Sequence, residues 1–289
     1  MQRSFPTVLL VCLSAIAGVV WYAVVYRETH RAGSITVLNV GQGDAILIDA
    51  GNGNQLLIDG GPSDRVLVRI GKIMPFWDKT LEVVLLTHPH ADHLTGLIDV
   101  LKRYRVERVF DNGDTHTIPE YTEWENVLAE KKMPRVYAQE GQKIILGERM
   151  IFSILAPIKE ERQQENPGAN LHARMVVGRF DFETGRALFM GDAEEELEYR
   201  LIARGNDLKS DILKVGHHGS KTSTSDILLE RVEPQMALIS AGRKNRFGHP
   251  HEAVMDRLKR RGIAVERTDL KGDITIRLDD ASRLASPRR

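Results

Sequence analysis

Residues 86–93 read Leu-Thr-His-Pro-His-Ala-Asp-His and directly follow the run Glu-Val-Val-Leu at positions 82–85. A short apolar run of this kind is typical of a strand that is buried on both faces of a sheet. Apolar residues then recur at helical spacing, at Leu94, Leu97, Ile98 and Leu101. The stretch therefore predicts a buried strand, a polar loop and a helix, and such loops are where ligands of α/β proteins gather.

The polar loop carries four side chains that can bind a metal ion. Alternate side chains of an extended chain point to the same side, so His88 and His90 can bind one ion. The turn after Ala91 presents Asp92 and His93 to a second ion. A solvated loop with a helix N-cap would explain any one of these residues, but four of them within six positions predict a metal site.

The composition limits both the ligands and the partners. The chain has one cysteine, Cys12, in the apolar N-terminal run, which excludes intramolecular disulfides, CxxC redox chemistry and a cysteine nucleophile in the body of the protein. Forty Lys+Arg balance 40 Asp+Glu, so the basic footprint of a dedicated nucleic-acid-binding protein is absent. Any metal is therefore bound by His, Asp or Glu, and any polyanion by a local site.

The second half of the chain repeats the architecture of the first without repeating its residues. A strand over Ala187–Met190 precedes Asp192 and a helix over Glu194–Ala203. A buried strand over Asp211–Val215 then ends in Gly216-His217-His218-Gly219-Ser220. Two histidine-rich loops that face each other across a sandwich can converge on one site. We therefore expect both halves to contribute to the metal site.

We predict one α/β domain over residues 32–289, preceded over residues 1–31 by a tail, a transmembrane anchor and a juxtamembrane segment. Strands and helices alternate after residue 34 without a long linker, and Gly51-Asn52-Gly53-Asn54 is a strong hairpin turn. The other predicted elements are strands over 35–40, 45–49, 55–59, 142–146, 150–155, 174–182, 236–240, 264–266 and 273–278, and helices over 121–132, 226–231 and 251–261.

The anchor is predicted from the mostly apolar residues 7–26, which have about the length that crosses a bilayer as a helix. Trp21, Tyr22 and Tyr26 stand where an aromatic belt belongs. A cleaved signal peptide is the alternative, because Ala15-Ile16-Ala17 fits an A-x-A site. We expect a single-pass membrane protein that contacts lipid through residues 7–26. An extracytoplasmic catalytic domain is preferred, since a cysteine-free domain tolerates oxidising surroundings.

Together these motifs resemble the metallo-β-lactamase superfamily and, more closely, the hydrolase domain of ComEC-type competence proteins. The resemblance covers nearly everything after residue 34, in order. The strings that carry it are LNVGQGDA at 38–45, LIDGG at 57–61, LTHPHADH at 86–93, MGDAE at 190–194, LKVGHHGS at 213–220 and NRFGHPH at 245–251.

The resemblance implies an αββα sandwich with two divalent metal ions, of which Zn²⁺ is expected and Mn²⁺ is the alternative, and with a metal-bridging hydroxide as the nucleophile. The metal ligands that it implies are His88 and His90 for the first ion, Asp92 and His93 for the second, and Asp192 between them. A bridging carboxylate is a common way to hold two divalent cations close together. Asp192 also fits a helix N-cap, because three glutamates follow it.

Three assignments stay open. The last ligand is His217 or His218, and His217 is preferred because it comes first after the strand. Many superfamily members take a third histidine for the first ion from the region before the bridging aspartate. ComEC-like relatives have an Asn- and Ser-rich stretch there, so His172 either restores that ligand or is an unrelated polar residue. Asp59 resembles an aspartate that orients a ligand histidine, and it also fits the end of a hairpin.

The predicted catalytic residues are Asp92 and His249. By resemblance His249 lies at the rim of the site, where it is suited to donate a hydrogen bond or a proton to the leaving oxygen. The remaining candidates for supporting the ligands or binding an anionic group are His218, Ser220, Lys221 and Arg246.

Three functions follow from these residues. The first is a membrane-anchored, metal-dependent phosphodiesterase or nuclease, because the metal cluster is cationic and favours an anionic substrate such as single-stranded DNA. The second is a hydrolase of small esters, lactones or amides, which would need an apolar pocket beside the metals. The third is a binding module without activity, although the complete set of ligand side chains speaks against it.

Overall fold

The first half of the chain alternates strands and helices. The computed structural model describes residues 4–29, 32–159 and 171–279. Up to residue 137 its elements are α1 (Ser4–Thr29), β1 (Ser34–Val37), β2 (Ile46–Asp49), β3 (Gln55–Ile58), α2 (Arg65–Ile73), β4 (Thr80–Leu86), α3 (Ala91–Arg103), β5 (Arg105–Asp111), α4 (Pro119–Glu130) and β6 (Arg135–Tyr137).

The second half begins with a run of antiparallel strands and then alternates strands with helices. Its elements are β7 (Lys143–Gly147), β8 (Met150–Ala156), β9 (Val177–Phe182), β10 (Gly185–Phe189), α5 (Glu195–Ala203), β11 (Ile212–Lys214), α6 (Asp226–Val232), β12 (Met236–Ile239), α7 (Glu252–Arg260), β13 (Ala264–Arg267), α8 (Thr268–Lys271) and β14 (Ile274–Arg277).

The strands form two sheets of related topology. The first sheet has the order β14-β1-β2-β3-β4-β5-β6, and the second has the order β13-β12-β11-β10-β9-β8-β7. Strands β3 to β6 pair in parallel in the first sheet, as do β10 to β13 in the second. The loops after β4 and β11 thus leave the carboxyl ends of parallel strands, where α/β folds place their ligands.

Three groups of buried side chains divide the domain into layers. One group lies between the sheets and joins Ile48 and Leu85 of the first sheet to Phe152 and Phe180 of the second. A second group packs α2, α3 and α4 against the outer face of the first sheet. A third packs α5, α6 and α7 against the second sheet. The two sheets are thus flanked by helices on both sides, as the sequence predicts.

Strand β4 shows how the sequence produces this layering. Leu85 belongs to the group between the sheets, whereas Val84 and Leu86 belong to the group under the helices. Successive side chains of a strand point to opposite faces, so an apolar residue is required at every position of a strand that is covered on both sides. The loop that follows β4 is consequently anchored by the buried end of this strand, residues 83–86.

The sequence analysis did not identify α2, β5 and β6 in the outer part of the first sheet. In α2 the buried Val66 and Ile70 and the neighbouring Leu67 and Ile73 lie at helical spacing, which the analysis overlooked. In β5 the sequence Arg-Val-Glu-Arg-Val-Phe-Asp mixes charged and apolar residues because one side of this strand is partly exposed.

The prediction of a membrane anchor is wrong. Residues 4–29 do form a helix, but crossing a bilayer takes about 20 apolar residues in helical form. Among the residues described, no helix combines the length and the apolarity that a membrane span needs. Single-pass membrane localisation is therefore not supported, and the extracytoplasmic placement that depended on it loses its basis. Residues 1–3, 30 and 31 of the predicted N-terminal segment lie outside the described residues.

Candidate metal centre

The loop after β4 brings its histidines together at the start of α3. The His88 imidazole is fully buried, and its Nε2 lies 2.9 Å from Nδ1 of His90. Asp92 and His93 stand in the first turn of α3, which begins at Ala91. All four side chains that the spacing singled out are thus at one place.

A buried aspartate at the end of β3 supports this loop. The Asp59 carboxylate accepts hydrogen bonds from the backbone N–H of Thr87 at 2.8 Å and from its hydroxyl at 2.7 Å. Its Oδ2 also lies 2.7 Å from Nδ1 of His93, which leaves Nε2 of His93 to face the site. Asp59 thus contacts a candidate ligand histidine from behind, in the geometry that fixes the tautomer of a ligand imidazole.

Asp192 stands at the centre of the cluster and is buried. Its Oδ2 lies 3.2 Å from Nε2 of His93, 3.8 Å from Nε2 of His217 and 3.9 Å from Nε2 of His88. Its Oδ1 lies 3.5 Å from Nε2 of His218. The carboxylate therefore faces histidines of both loops.

Four overlapping sets of side chains place one nitrogen or oxygen atom each within 4.8 Å of one another. One is Asp44, Asp59 and His93, and the other three are His88, His90 and His172; His172, Asp192 and His217; and Asp92, His93, Asp192 and His218. Of these three, Asp192 belongs to the last two, and His172 to the first two. The described residues thus form two adjacent ligand groups that share Asp192.

The two histidines of the second loop point to different groups because of their backbone. His217 has φ 46° and His218 has φ 54°, which places both in the left-handed region. His218 is buried against Asp92 and Asp192, whereas His217 faces Glu194 with its Nδ1 3.2 Å from a carboxylate oxygen. The geometry thus groups His218, not the preferred His217, with Asp92 and His93, and it groups His217 with His172 and Asp192.

His172 lies within the cluster. It belongs to a 3₁₀ turn over Leu171–Ala173, and its ring centroid is 5.1 Å from that of His90 and 4.6 Å from that of His217. The preceding Asn170, which the sequence analysis weighed with it, lies outside the described residues. The geometry thus favours the reading in which His172 faces the metal site.

The donor atoms at the centre fit a divalent cation. In the part of the chain that the structure describes, Nε2 of His93, Nε2 of His218 and Oδ1 of Asp192 are buried without a hydrogen-bond partner. The nitrogen–oxygen separations in the group with Asp92 run from 3.2 to 3.9 Å. Tetrahedral ligands about 2.0–2.2 Å from one Zn²⁺ lie about 3.3–3.6 Å from each other. The residues present therefore match the group that the fold implies.

The charges at this centre favour a cation. Burial opposes protonation of His93, but Asp192, Asp59 and Asp92 outweigh it and raise its pKa well above the usual range. Burial likewise disfavours the charged form of Asp192, yet His218 and His93 hold its pKa well below the usual range. Positive charge is thus stabilised between the carboxylates, and a metal ion supplies it in place of protons.

Three further histidines of the cluster, His88, His90 and His249, are neutral near pH 7. Burial, followed by the neighbouring His93, holds the pKa of His88 well below its usual range. Burial and then His172 lower the pKa of His90 to about 4. Burial and then His218 lower the pKa of His249 to about 4. A neutral imidazole has a free lone pair, so His88 and His90 are in the form that binds metal.

A buried ion pair behind His218 was missed by the sequence analysis. Nζ of Lys214 donates to Oδ2 of Asp44 at 2.6 Å, and both side chains are buried. Asp44 Oδ1 lies 3.3 Å from Nδ1 of His218, which is also 3.0 Å from the carbonyl oxygen of Ser240. Burial opposes the charge on Asp44, but Lys214 and His218 lower its pKa to about 2. The position of Asp44 in the Gly-Gln-Gly-Asp string was the only signal for this role.

His249 lies at the rim, as expected from the resemblance. Its ring centroid is 5.6 Å from that of His217 and 6.2 Å from that of His218, and its Nδ1 is 3.5 Å from Nε2 of Gln42. It is half-buried, and the ring of Phe247 lies beside it with the centroids 5.7 Å apart.

The other predicted rim residues differ in accessibility. The hydroxyl of Ser220 lies 2.9 Å from that of Thr222 and is largely buried, so it supports its own loop. Lys221 and Arg246 are exposed. One further histidine, His116 in the loop after β5, was missed, and its ring centroid is 5.7 Å from that of His90. A lone histidine in a polar loop gave no signal in the sequence.

A buried cluster of histidines and aspartates at the carboxyl ends of strands in two helix-flanked sheets defines a metal-dependent hydrolase class. The sequence model of the Metallo-beta-lactamase superfamily matches residues 31–243. The chain belongs to this superfamily.

Relatives among characterised proteins confirm the resemblance to ComEC-type competence proteins. The chain is 28% identical over 274 residues to ComE operon protein 3 of Bacillus subtilis, covering 88% of this chain and 34% of that protein. It is 34% identical over 245 residues to Recombination protein 2 of Haemophilus influenzae, covering 84% and 28%. The chain thus spans about a third of the length of the curated relatives it matches.

Solved structures share the fold. YhfI of Bacillus subtilis, a metallo-beta-lactamase fold protein, aligns with a TM-score of 0.55 at 13% identity, over 85% of this chain and 99% of that chain. CmlA of Streptomyces venezuelae, a diiron beta-hydroxylase, also aligns with a TM-score of 0.55, at 15% identity, over 86% and 55%. At these identities the likeness establishes the architecture alone.

Proposed function

We propose that the protein is a metal-dependent phosphodiesterase that cleaves nucleic acid. The observation that carries this proposal is the position of Asp192, whose carboxylate belongs to the group of Asp92, His93 and His218 and also lies 3.9 Å from Nε2 of His88. A carboxylate in this position would be able to hold two divalent cations, which is the arrangement used by many phosphatases and nucleases. Kinship with competence proteins supports a nucleic-acid substrate.

We assign one ion to His88, His90 and His172, and the other to Asp92, His93 and His218, with Asp192 between them. The donors are imidazole nitrogens and carboxylate oxygens, which suit Zn²⁺ and also bind Mn²⁺. His217 lies 3.8 Å from Asp192 and would border the first ion from the side of Glu194.

The charge of such a cluster favours an anionic substrate. Two divalent cations bring four positive charges, while Asp92 and Asp192 return two negative ones. The rim adds the exposed cations Lys221, Arg243 and Arg246. Bound divalent cations stabilise charge on phosphoryl oxygens and lower the pKa of water toward ~7.

The side chains around the cluster position the reacting groups. Asp59 holds the imidazole of His93, and Asp44 with the carbonyl of Ser240 holds that of His218. His249 has a pKa of about 4 and is a neutral imidazole near pH 7, so its N–H is available to donate a hydrogen bond to the leaving oxygen.

Metal content and substrate range test the proposal. The full-length chain is loaded with Zn²⁺ or Mn²⁺ and given single-stranded DNA, bis(p-nitrophenyl) phosphate, a thioester and a lactone, with His90→Ala and Asp192→Ala as controls. Metal-dependent cleavage of the phosphodiesters that both variants lose is the expected result. Turnover of the thioester or lactone alone would reassign the site to small-molecule hydrolysis, and absence of bound metal would leave a binding module.

A further inference from the structure

We propose that Phe247 and the cations around it form a platform on which a base of a single-stranded nucleic acid stacks while its phosphodiester lies at the metal centre. This inference rests on the proposed phosphodiesterase function and names the feature that recognises the substrate. In this proposal the metal centre binds the phosphate group, and Phe247 provides a second contact that requires a base.

Phe247 is a large aromatic side chain that is partly exposed to solvent. It is 49% exposed, and the exposed part of the ring gains no stabilisation from burial on folding. The Asn245 side chain accepts hydrogen bonds from the backbone N–H groups of Phe247 at 3.2 Å and His249 at 3.0 Å. The same side chain donates to the carbonyl oxygens of Gly242 and His249. The loop is therefore fixed by hydrogen bonds, and the exposure of the ring is built into it.

The ring is stacked toward the metal centre. Its plane is inclined by 24° to that of His249, with the centroids 5.7 Å apart. The His249 centroid is in turn 6.2 Å from that of His218. Two ring contacts thus connect Phe247 to a ligand histidine. The distance from a phosphate at the metal centre to the base of the same or the next nucleotide is of the same order as the distance from the metal centre to Phe247.

Cations surround the ring. The guanidinium carbon of Arg246 lies 4.9 Å above the centroid of Phe247, and Arg243 and Lys244 in the same loop are exposed. Across residues 4–29, 32–159 and 171–279, these three cations form no ion pair within 4.0 Å. In a chain with zero net charge, a run of unneutralised cations beside a metal centre is a local preference for polyanions.

The loop that carries the ligand histidines adds a further cation. The backbone N–H of His251 donates to the carbonyl oxygen of Gly219 at 2.9 Å, which ties the two loops together. Lys221, two residues after Gly219, is exposed. The two connected loops thus carry the exposed basic side chains of Lys221, Arg243, Lys244 and Arg246.

This combination fits a single strand. An exposed aromatic ring with basic side chains around it is how proteins bind single-stranded DNA or RNA without reading its sequence, because every base has a face that can stack. A duplex offers its bases only within its own stack. The geometry therefore favours a single-stranded substrate for the site described above.

Oligonucleotides of equal charge test the platform. The substrates are a single-stranded DNA and a DNA of the same length that carries abasic nucleotides, and the variants are Phe247→Leu and Phe247→Trp. Phe76→Leu is the matched control, because Phe76 is 80% exposed and precedes the amino end of β4, away from the loops of the site. Binding is measured by fluorescence anisotropy on phosphorothioate versions of both strands, and cleavage on the ordinary strands.

The wild-type protein and Phe76→Leu are expected to prefer the base-bearing strand by about 10- to 100-fold in binding and in kcat/KM, the range of base–aromatic stacking. Phe247→Leu loses this preference and leaves the abasic strand unchanged. Phe247→Trp keeps the preference, and the fluorescence of the added indole is quenched by the base-bearing strand alone.

An equal loss on both strands in Phe247→Leu, or no preference in the wild-type protein, overturns the platform. The phosphodiesterase proposal still stands in that case if both strands are cleaved with metal. If no strand is cleaved, that proposal falls, and failure of the strands to bind then overturns the platform as well.

Discussion

The two loops that meet at the metal centre place their histidines there through different backbone conformations. In the loop after β4, His90, the residue before α3, has an extended backbone, and Asp92 and His93 lie in ordinary helical positions. The loop after β11 places two consecutive residues, His217 and His218, in the left-handed region between glycines. Spacing along the sequence therefore predicts side-chain direction in the first loop and misleads in the second, because left-handed residues break the alternation of an extended strand.

The loops also differ in what supports them. His93 is held by Asp59, which belongs to the same sheet. His218 is held by Asp44, from the loop before β2 of the other sheet, and by Ser240 after β12. The first loop is thus supported locally, whereas the second depends on the two sheets being packed together. Four predictions test this contrast.

The largest effect is expected from His218→Ala. Loss of a side chain that supports a ligand costs about 10- to 100-fold in metal affinity, and loss of the ligand itself should exceed that range. His217→Ala, which removes the neighbour outside the group of Asp92, should cost less. Metal titration of both variants measures the difference. An equal or larger loss in His217→Ala would show that the left-handed backbone does not choose between the two.

Lys214→Met tests the support across the sheets. The substitution leaves the buried Asp44 without its cation, and we expect the free energy of unfolding to fall by about 3–5 kcal/mol. Lys209→Met is the control, because Lys209 and Glu233 are both exposed and such a pair contributes about 0–1 kcal/mol. Urea unfolding of both variants without metal gives the values. Similar losses would contradict a special role for the buried pair.

The pH dependence of the free energy of unfolding measures the contribution of the ionised Asp44 carboxylate. Its pKa is lowered from 3.8 to about 2, so the ionised carboxylate stabilises the fold above the ordinary pKa, and this contribution disappears as pH falls through about 2. The stability gap between the wild-type protein and Asp44→Asn should therefore narrow by about 2 kcal/mol over that window. A gap that stays constant would mean that Asp44 titrates in the folded protein as it does in the unfolded chain.

The smallest effect concerns the backbone of the second loop. A residue with a Cβ in the left-handed region costs about 1–2 kcal/mol, and glycine avoids this cost. His217 has φ 46°. In the absence of metal, the free energy of unfolding of His217→Gly should therefore be about 1 kcal/mol higher than that of His217→Ala. Greater stability of the alanine variant would indicate that the loop changes its conformation when the imidazole is removed.

Much of the fold could be predicted from periodicity. The strands around residues 46–49 and 80–86 and the helices over 91–103 and 226–232 lie where apolar spacing places them. The prediction missed α2, although its buried residues lie at helical spacing, and it missed β5, whose sequence mixes charged and apolar residues. It also failed for the N-terminal helix, because a helical apolar stretch was taken as a membrane span that the described residues do not provide.

The candidate site divides in the same manner. His88, His90, Asp92, His93 and Asp192 could be named because their residue types and spacing carry the chemistry of metal binding. The ion pair of Asp44 with Lys214 joins residues 170 positions apart, and no local pattern links them. Phe247 stood in a recognised string, but nothing in the string showed that its ring is exposed and stacked on His249.

By itself, the sequence determined the alternation of strands and helices and the metal-binding loop, and its resemblance to a known family implied the layered architecture and most of the ligands. The first two properties follow from hydrophobic period and from short-range spacing, which are local. Only the tertiary structure decided that His218 joins Asp92 and His93, that Asp44 and Lys214 support it, and that an aromatic ring borders the site. These properties depend on backbone dihedral angles and on contacts between distant segments, which exist only once the two sheets have packed together.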